Sequence, residues 1–208
     1  MSLDVMITDT LAQEITAFPS SMPDVNLIFK HTLAKLVVTL CVNDTNANYD
    51  VKITNIELKN FYSEGEYDGE NGWIADTTST LIDYRYNGCD TTLGEEKLYF
   101  IESLILPQAF DSTMTLIVDY EITSYDPNDP TTPPYTEEFT YENDLPSIFE
   151  DYIEGDDDLP GTDDDNPNME DNTSYDIDIK INPEDNVITF DAGAKQWDIV
   201  KVPSPALF

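Results

Sequence analysis

Val25-Asn26-Leu27-Ile28-Phe29-Lys30-His31-Thr32-Leu33-Ala34-Lys35-Leu36-Val37-Val38-Thr39-Leu40-Cys41-Val42 is the stretch that decides the fold. Val25, Leu27 and Phe29 alternate with Asn26, Ile28 and Lys30, the period of a strand buried mainly on one face. After His31 the alternation resumes, with Ala34, Leu36, Val38, Leu40 and Val42 on one side. Lys35, Val37, Thr39 and Cys41 take the other. Leu33 to Leu40 has a length that a helix also fits, but its valine and threonine content favours a strand. His31, between two strands, reads as a structural histidine at a kink.

Outward from this stretch the same period recurs. Asn43 to Asn48 is a polar turn, and Val51 to Phe61 is a strand with a bulge near Asn55. Ser63 to Gly72 reads as a loop leading to Trp73 and Ile74. Strands follow at Thr80 to Tyr86, Lys97 to Leu106 and Thr113 to Tyr125. Pro127, Pro130, Pro133 and Pro134 form a stiff hairpin-like connection into a strand at Tyr135 to Tyr141. Leu145, Ile148, Phe149 and Ile153 share helical spacing, so Leu145 to Glu154 is expected to hold one short helix. Tyr175, Ile177, Ile179 and Ile181 alternate with Asp176, Asp178 and Lys180 in another strand, and Asn186 to Phe190 is the last clear one. The expected fold is all-β: a Greek-key β-sandwich with an acidic loop insertion and at most one short helix. Residues 1–22 read as an N-terminal arm or linker. Residues 23–208 read as a single sandwich domain with its insertion at about 144–172.

Charge narrows the function. The 208 residues carry 43 Asp and Glu against 9 Lys and Arg, a formal net charge of -34. Such a field repels phosphate backbones and anionic lipid, which argues against nucleic-acid and membrane-surface partners. The acidity is uneven: no Lys or Arg lies between Lys97 and Lys180, and Glu137 to Asp171 holds 15 acidic residues. With 40% hydrophobic residues the rest of the chain has material for a packed core. No stretch approaches the length of a membrane span, and Met1-Ser2-Leu3-Asp4 lacks the features of a signal peptide. The two cysteines leave pairing open: Cys41 reads as a small buried hydrophobe, and Cys89 lies in a turn-like stretch.

Catalytic chemistry finds little support. His31 is the only histidine available as a general base, and the chain has no nucleophile elbow, zinc-protease helix or phosphate loop. Carboxylate pairs are uninformative in so acidic a chain, so a non-catalytic protein is expected. Calcium is the one cofactor to consider, with oxygen ligands from Asp156, Asp158, Asp163 and Asp165. Asp156, Asp158 and Gly161 match the start of an EF-hand loop, but Pro167 stands where its closing glutamate belongs. Asp126-Pro127-Asn128-Asp129 is a second candidate. The bland reading of both is a solvated acidic loop.

Three segments taken together resemble the fimbrillin family of Bacteroides-type surface pilins and adhesins. Val25 to Leu36 looks like the family's "LxFxHxLAKL" strand pair. Leu104-Ile105-Leu106-Pro107-Gln108, followed by Leu116 to Tyr120, resembles its "IPQ" strand end. Tyr175-Asp176-Ile177-Asp178-Ile179, Ile188-Thr189-Phe190 and Trp197 are similar to its closing segment. Asp4-Val5-Met6 looks like the linker into the family's C-terminal domain. The acidic insert between Pro146 and Asn172 departs from the family pattern. The resemblance implies a transthyretin-like sandwich, and a structural or adhesive subunit of fimbriae at the cell surface. It implies an outer-membrane lipoprotein whose partners are other fimbrial subunits and host or bacterial surface ligands, touching the membrane through a lipid anchor only. Assembly by strand donation would then use the tail, where Val200, Val202, Ala206 and Phe208 are candidates to fill a neighbour's pockets. Pro203 and Pro205 limit such a ladder. The alternative reading is a surface calcium- or carbohydrate-binding module with its site in the acidic loops and near Trp73.

Overall fold

The computed structural model of the protein describes residues 6–8, 27–43, 48–69, 72–86, 91–129, 131–150, 168–197 and 200–202. Among them lie fourteen strands and one helix, so the all-β expectation holds. The strands are β1 (Met6–Thr8), β2 (Leu27–His31), β3 (Ala34–Val42), β4 (Tyr49–Tyr62), β5 (Gly65–Asp68), β6 (Gly72–Ala75) and β7 (Leu81–Tyr86). They continue as β8 (Thr91–Thr92), β9 (Leu98–Ile105), β10 (Thr115–Ser124) and β11 (Tyr135–Asp144). The helix α1 (Leu145–Ile148) precedes β12 (Thr173–Asn182), β13 (Val187–Gln196) and β14 (Val200–Val202).

Two sheets supply one core. The first runs β13-β12-β3-β9 and the second β11-β10-β4-β7, with β8 also paired to β4. Leu36, Val38 and Leu40 of β3 and Ile177 and Ile179 of β12 are buried in the same cluster as Ile53 and Leu58 of β4 and Leu116 and Val118 of β10. Each such aliphatic side chain contributes roughly 1.5–3 kcal/mol on leaving water. The inward set read from the alternation of β3 and β12 is the buried set. Val37, Thr39 and Cys41, on the other side of β3, are also nearly inaccessible. The reason is position: β3 is central, paired in parallel with β12 from Ser174↔Lys35 to Ile181↔Val42 and with β9 on its other side, so outward side chains of the flanking strands, such as Asp178 bonded to Thr39, crowd over it. Cys41 is a buried free thiol, whereas Cys89 lies outside the described residues.

Irregularities fall where the sequence pattern breaks. The β4–β10 register shifts between Asp119 and Tyr120, opposite Asn55 and Ile53, which is the expected bulge. A second break in β4 lies against β7, between Leu58 and Phe61. There Asn60 adopts φ 68, and a short polar side chain tolerates that left-handed geometry. A third, between Val38 and Thr39 on the β3–β9 edge, turns both Phe100 and Ile101 inward while Tyr99 stands 72% exposed.

Two segments differ from expectation. The stretch read as a loop at Ser63 to Gly72 contains β5, which pairs with β6 as a hairpin. Gly65 permits this closeness, since a Cβ there would meet the Ile74 carbonyl oxygen at 2.6 Å. β13 runs six residues beyond Phe190, through Gly193 and Ala194, because β12 pairs with it as far as Gln196. Of the helix expected at Leu145 to Glu154, the described residues contain Leu145–Ile148, with Asp144 accepting from Ser147 N–H as its N-cap and Pro146 in its first turn; residues 151–154 lie outside them. Within the residues read as an arm or linker, Met6–Thr8 is a strand paired antiparallel with β2.

Candidate interaction surfaces

The corner at His31 brings together the first and the last of the three segments singled out in the sequence. The His31 ring stacks on Trp197, with centroids 3.7 Å apart and planes at 17°. Asn172 holds this corner together: its side-chain oxygen accepts from His31 N–H at 3.2 Å. Its own N–H donates to Leu33 O at 3.1 Å and its carbonyl accepts from Trp197 N–H at 2.7 Å. Asn172 is buried with φ 53, although the sequence around it reads as an acidic loop. Its only signal was that Asn, with Asp and Gly, tolerates the left-handed region. Gln108 plays a similar part, with its amide donating to Tyr62 O and Leu106 O and accepting from Tyr62 N–H at 2.9 Å.

The outer face of the four-stranded sheet forms a cleft of about 390 Å³, with Lys35, Thr39, Asp176, Asp178 and Lys195 on its floor and Trp197 and Tyr99 on its walls. Its charges are paired. Lys97 and Thr39 both bond Asp178, Lys195 bonds Asp176, and Lys35 meets Glu102 at 2.5 Å. Ser174 donates to Asp176 at 2.8 Å. Burial alone would raise the Asp178 carboxyl, but the bonds from Lys97 and Thr39 outweigh it and hold it below the usual range. The bond to Asp178 raises the Lys97 ammonium, and the bond to Asp176 raises that of Lys195. The Lys35 ammonium lies 5.8 Å from the Trp197 ring, within cation–π range.

Trp73, near which the alternative reading placed a ligand, lines a cleft of about 560 Å³ with Gln108, Met169 and Asp171. Tyr67 meets it edge to face at 5.4 Å, and its indole N–H is buried without a partner among the described residues. Partial burial raises the Asp171 carboxyl against the pull of Lys30.

The acidic candidates fare differently. Asp156, Asp158, Asp163 and Asp165 lie outside the described residues. In the Asp126–Asp129 turn the carboxylates serve the backbone: Asp126 accepts from Asn128 N–H at 2.8 Å, and Asp129 accepts from Thr131 and Thr132. Those bonds hold the Asp129 carboxyl below its usual range. Among the described residues no group of three or more His, Cys, Asp or Glu side chains is placed to hold a metal. No described helix is long and apolar enough to cross a membrane.

Of the tail, Val200–Val202 forms β14 and pairs antiparallel with β2 of its own chain, Val200↔Phe29 to Val202↔Leu27. Ala206 and Phe208 lie outside the described residues. The sheet edges are β7 and β9 on one side and β11 and β13 on the other. β7 and β9 flank an open groove lined by Ile82, Tyr84, Phe100 and Glu102.

Comparison with known proteins places this architecture. A family model described as fimbrillin-like matches residues 2–197. A fimbrial protein from Bacteroides vulgatus has a similar fold, with a TM-score of 0.50 at 12% identity over 83% of this chain and 56% of that one. A candidate cell adhesion protein from Bacteroides uniformis matches at a TM-score of 0.43 and 15% identity, over 83% of this chain and 53% of the other. The chain thus spans about half the length of the solved structures it matches. No match is found among curated proteins.

Proposed function

Because the chain belongs to the fimbrillin-like family, we propose that it is a structural or adhesive subunit of cell-surface fimbriae, non-catalytic and built on a transthyretin-like sandwich. The family match along residues 2–197 carries this reading. On it the protein is exported to the outer membrane, held there by a lipid anchor, and partnered by other fimbrial subunits.

The sheet edges favour assembly by strand donation. An edge strand offers a row of unpaired backbone groups, and an incoming extended segment gains affinity from them and specificity from alternating side chains. The groove between β7 and β9 is the best acceptor, because two sheet edges face it. β14 is the donor. Among the described residues it holds β2 by three residue pairs, and short terminal elements of this kind detach at small cost.

Removal of residues 200–208 tests this. Size-exclusion chromatography of the truncated chain should show monomers under conditions where the full chain forms oligomers. Oligomers of unchanged size and amount would refute donation by the tail, while leaving the family assignment standing.

A further inference from the structure

The outer face of the four-stranded sheet has side chains that neither the core nor strand exchange employs. We infer that this face binds a short, uncharged oligosaccharide, seated on the paired Lys and Asp side chains between Trp197 and Tyr99. The inference does not depend on how subunits assemble.

The walls come first. Trp197 is fixed by the His31 stack and by its N–H bond to Asn172 O, so its ring is held in place before any ligand arrives. Tyr99 pairs with Thr39 and is 72% exposed at the bulge of β9. Trp197 stands beside Lys35, four residues from Thr39 along β3, so the rings bracket about 13 Å of strand. A short oligosaccharide matches that length, and the C–H faces of its sugars suit aromatic rings. Both rings add contact area with little conformational entropy to lose.

The floor supplies polar chemistry. Asp176, Asp178, Lys35, Lys195, Ser174 and Thr39 converge on the cleft, each held by the ion pairs and hydrogen bonds already described. A vicinal diol can donate to a carboxylate and accept from the adjacent ammonium at once. Groups locked before binding lose little freedom when they engage it.

Charge selects among ligands. Every lysine of the cleft has an acidic partner, so an anion would have to displace one, and a net charge of -34 opposes its approach. A cation meets the ammonium groups instead. A neutral polyhydroxyl ligand has neither penalty. The volume of about 390 Å³ lies in the range of small-ligand sites.

The test uses the 208-residue chain with Trp73→Phe, which leaves Trp197 as the sole tryptophan. Maltotriose, cellotriose, chitotriose and lacto-N-tetraose are titrated at millimolar concentration, with sialyllactose as the anionic control. Tryptophan fluorescence and saturation-transfer NMR report binding. At least one neutral sugar should bind saturably, and Tyr99→Ala should weaken it roughly tenfold or more, as loss of an aromatic anchor does, with the melting temperature unchanged. No binding by any neutral sugar, binding of sialyllactose alone, or affinity untouched by Tyr99→Ala would each overturn the inference. So would a dimer in sedimentation velocity that Tyr99→Ala dissociates, which would make this face a contact between copies.

Discussion

The two large sheets share a core and differ in how the chain reaches them. The five-stranded sheet is built from the middle of the sequence, with β10 and β11 joined as a hairpin and every pairing antiparallel. At the centre of the four-stranded sheet β12 lies parallel to β3, joining residues 139 positions apart. The outer face of the first is polar, with Asn55 bonded to Asp119 at 3.0 Å and Lys52 near Glu121 at 3.8 Å. On the second, Val37, Thr39 and Cys41 are buried beneath the lysine–aspartate pairs. One sheet therefore has a plain inside and outside, whereas the other has an inside and a built surface.

Equal truncations in the two sheets should break this comparison most strongly. Leu40→Ala and Leu116→Ala remove the same atoms from fully buried sites, and each should cost about 2–5 kcal/mol in urea unfolding. Kinetics should separate them. Leu116→Ala should slow refolding, because its sheet closes early through local pairings. Leu40→Ala should mainly accelerate unfolding. Equal effects on both rates in both variants would mean that the sheets form together.

Asn172→Ala attacks the corner where the four-stranded sheet meets β2. It strips the acceptor from His31 N–H and puts alanine at φ 53, for a loss of about 2 kcal/mol. A melting curve within a degree of the parent would remove Asn172 from its structural role. The five-stranded sheet has its own buried ion, Glu57, whose side chain is 6% exposed and bonded to Arg85. Arg85→Ala leaves Lys59, 3.9 Å away, as its one cation among the described residues, and should cost about 1–3 kcal/mol. Lys195→Ala breaks the pair with Asp176 at a site 68% exposed and should cost less than about 1 kcal/mol. If the two lysine and arginine variants lose the same stability, burial is not what distinguishes the faces.

Acid gives the smallest effect. The Asp178 carboxyl is held low in the folded state, so its contribution is complete above the unfolded value of about 3.9. It is lost as pH falls through the folded value. With Lys97 half exposed the contribution stays under about 1 kcal/mol. Asp178→Asn should therefore melt slightly below the parent at pH 7 and level with it near pH 2; a constant gap across that range would assign the difference to packing.

The contrast between sheets also explains what could be read from the residues. Alternation in β3 and β12 identifies which side chains enter the core, because a strand's side chains point to its two faces with a period of two. It said nothing of which strand lies beside which, so the parallel β3–β12 pair was invisible. The second half of β13 was missed because Gly193 and Ala194 have poor strand propensity and are recruited by β12. Gly65 hid a hairpin for a similar reason. At the candidate site Trp197 was legible through its resemblance to a family motif. Tyr99 was not, since its outward position comes from a bulge that only the partner strand reveals. Asn172 sat within an acidic run and looked like solvent.

The parallel pairing also imposes an order in time. Synthesis delivers β3, nine residues long, long before β12 exists to pair with it. Until residue 173 has been made, that apolar ribbon has β9 on one side and nothing to occupy the other. The nascent chain is therefore a poor folder and a good client for any factor that holds extended segments. A product truncated before β12 should be cleared or aggregate rather than mature, whereas one truncated after β13 should keep its core.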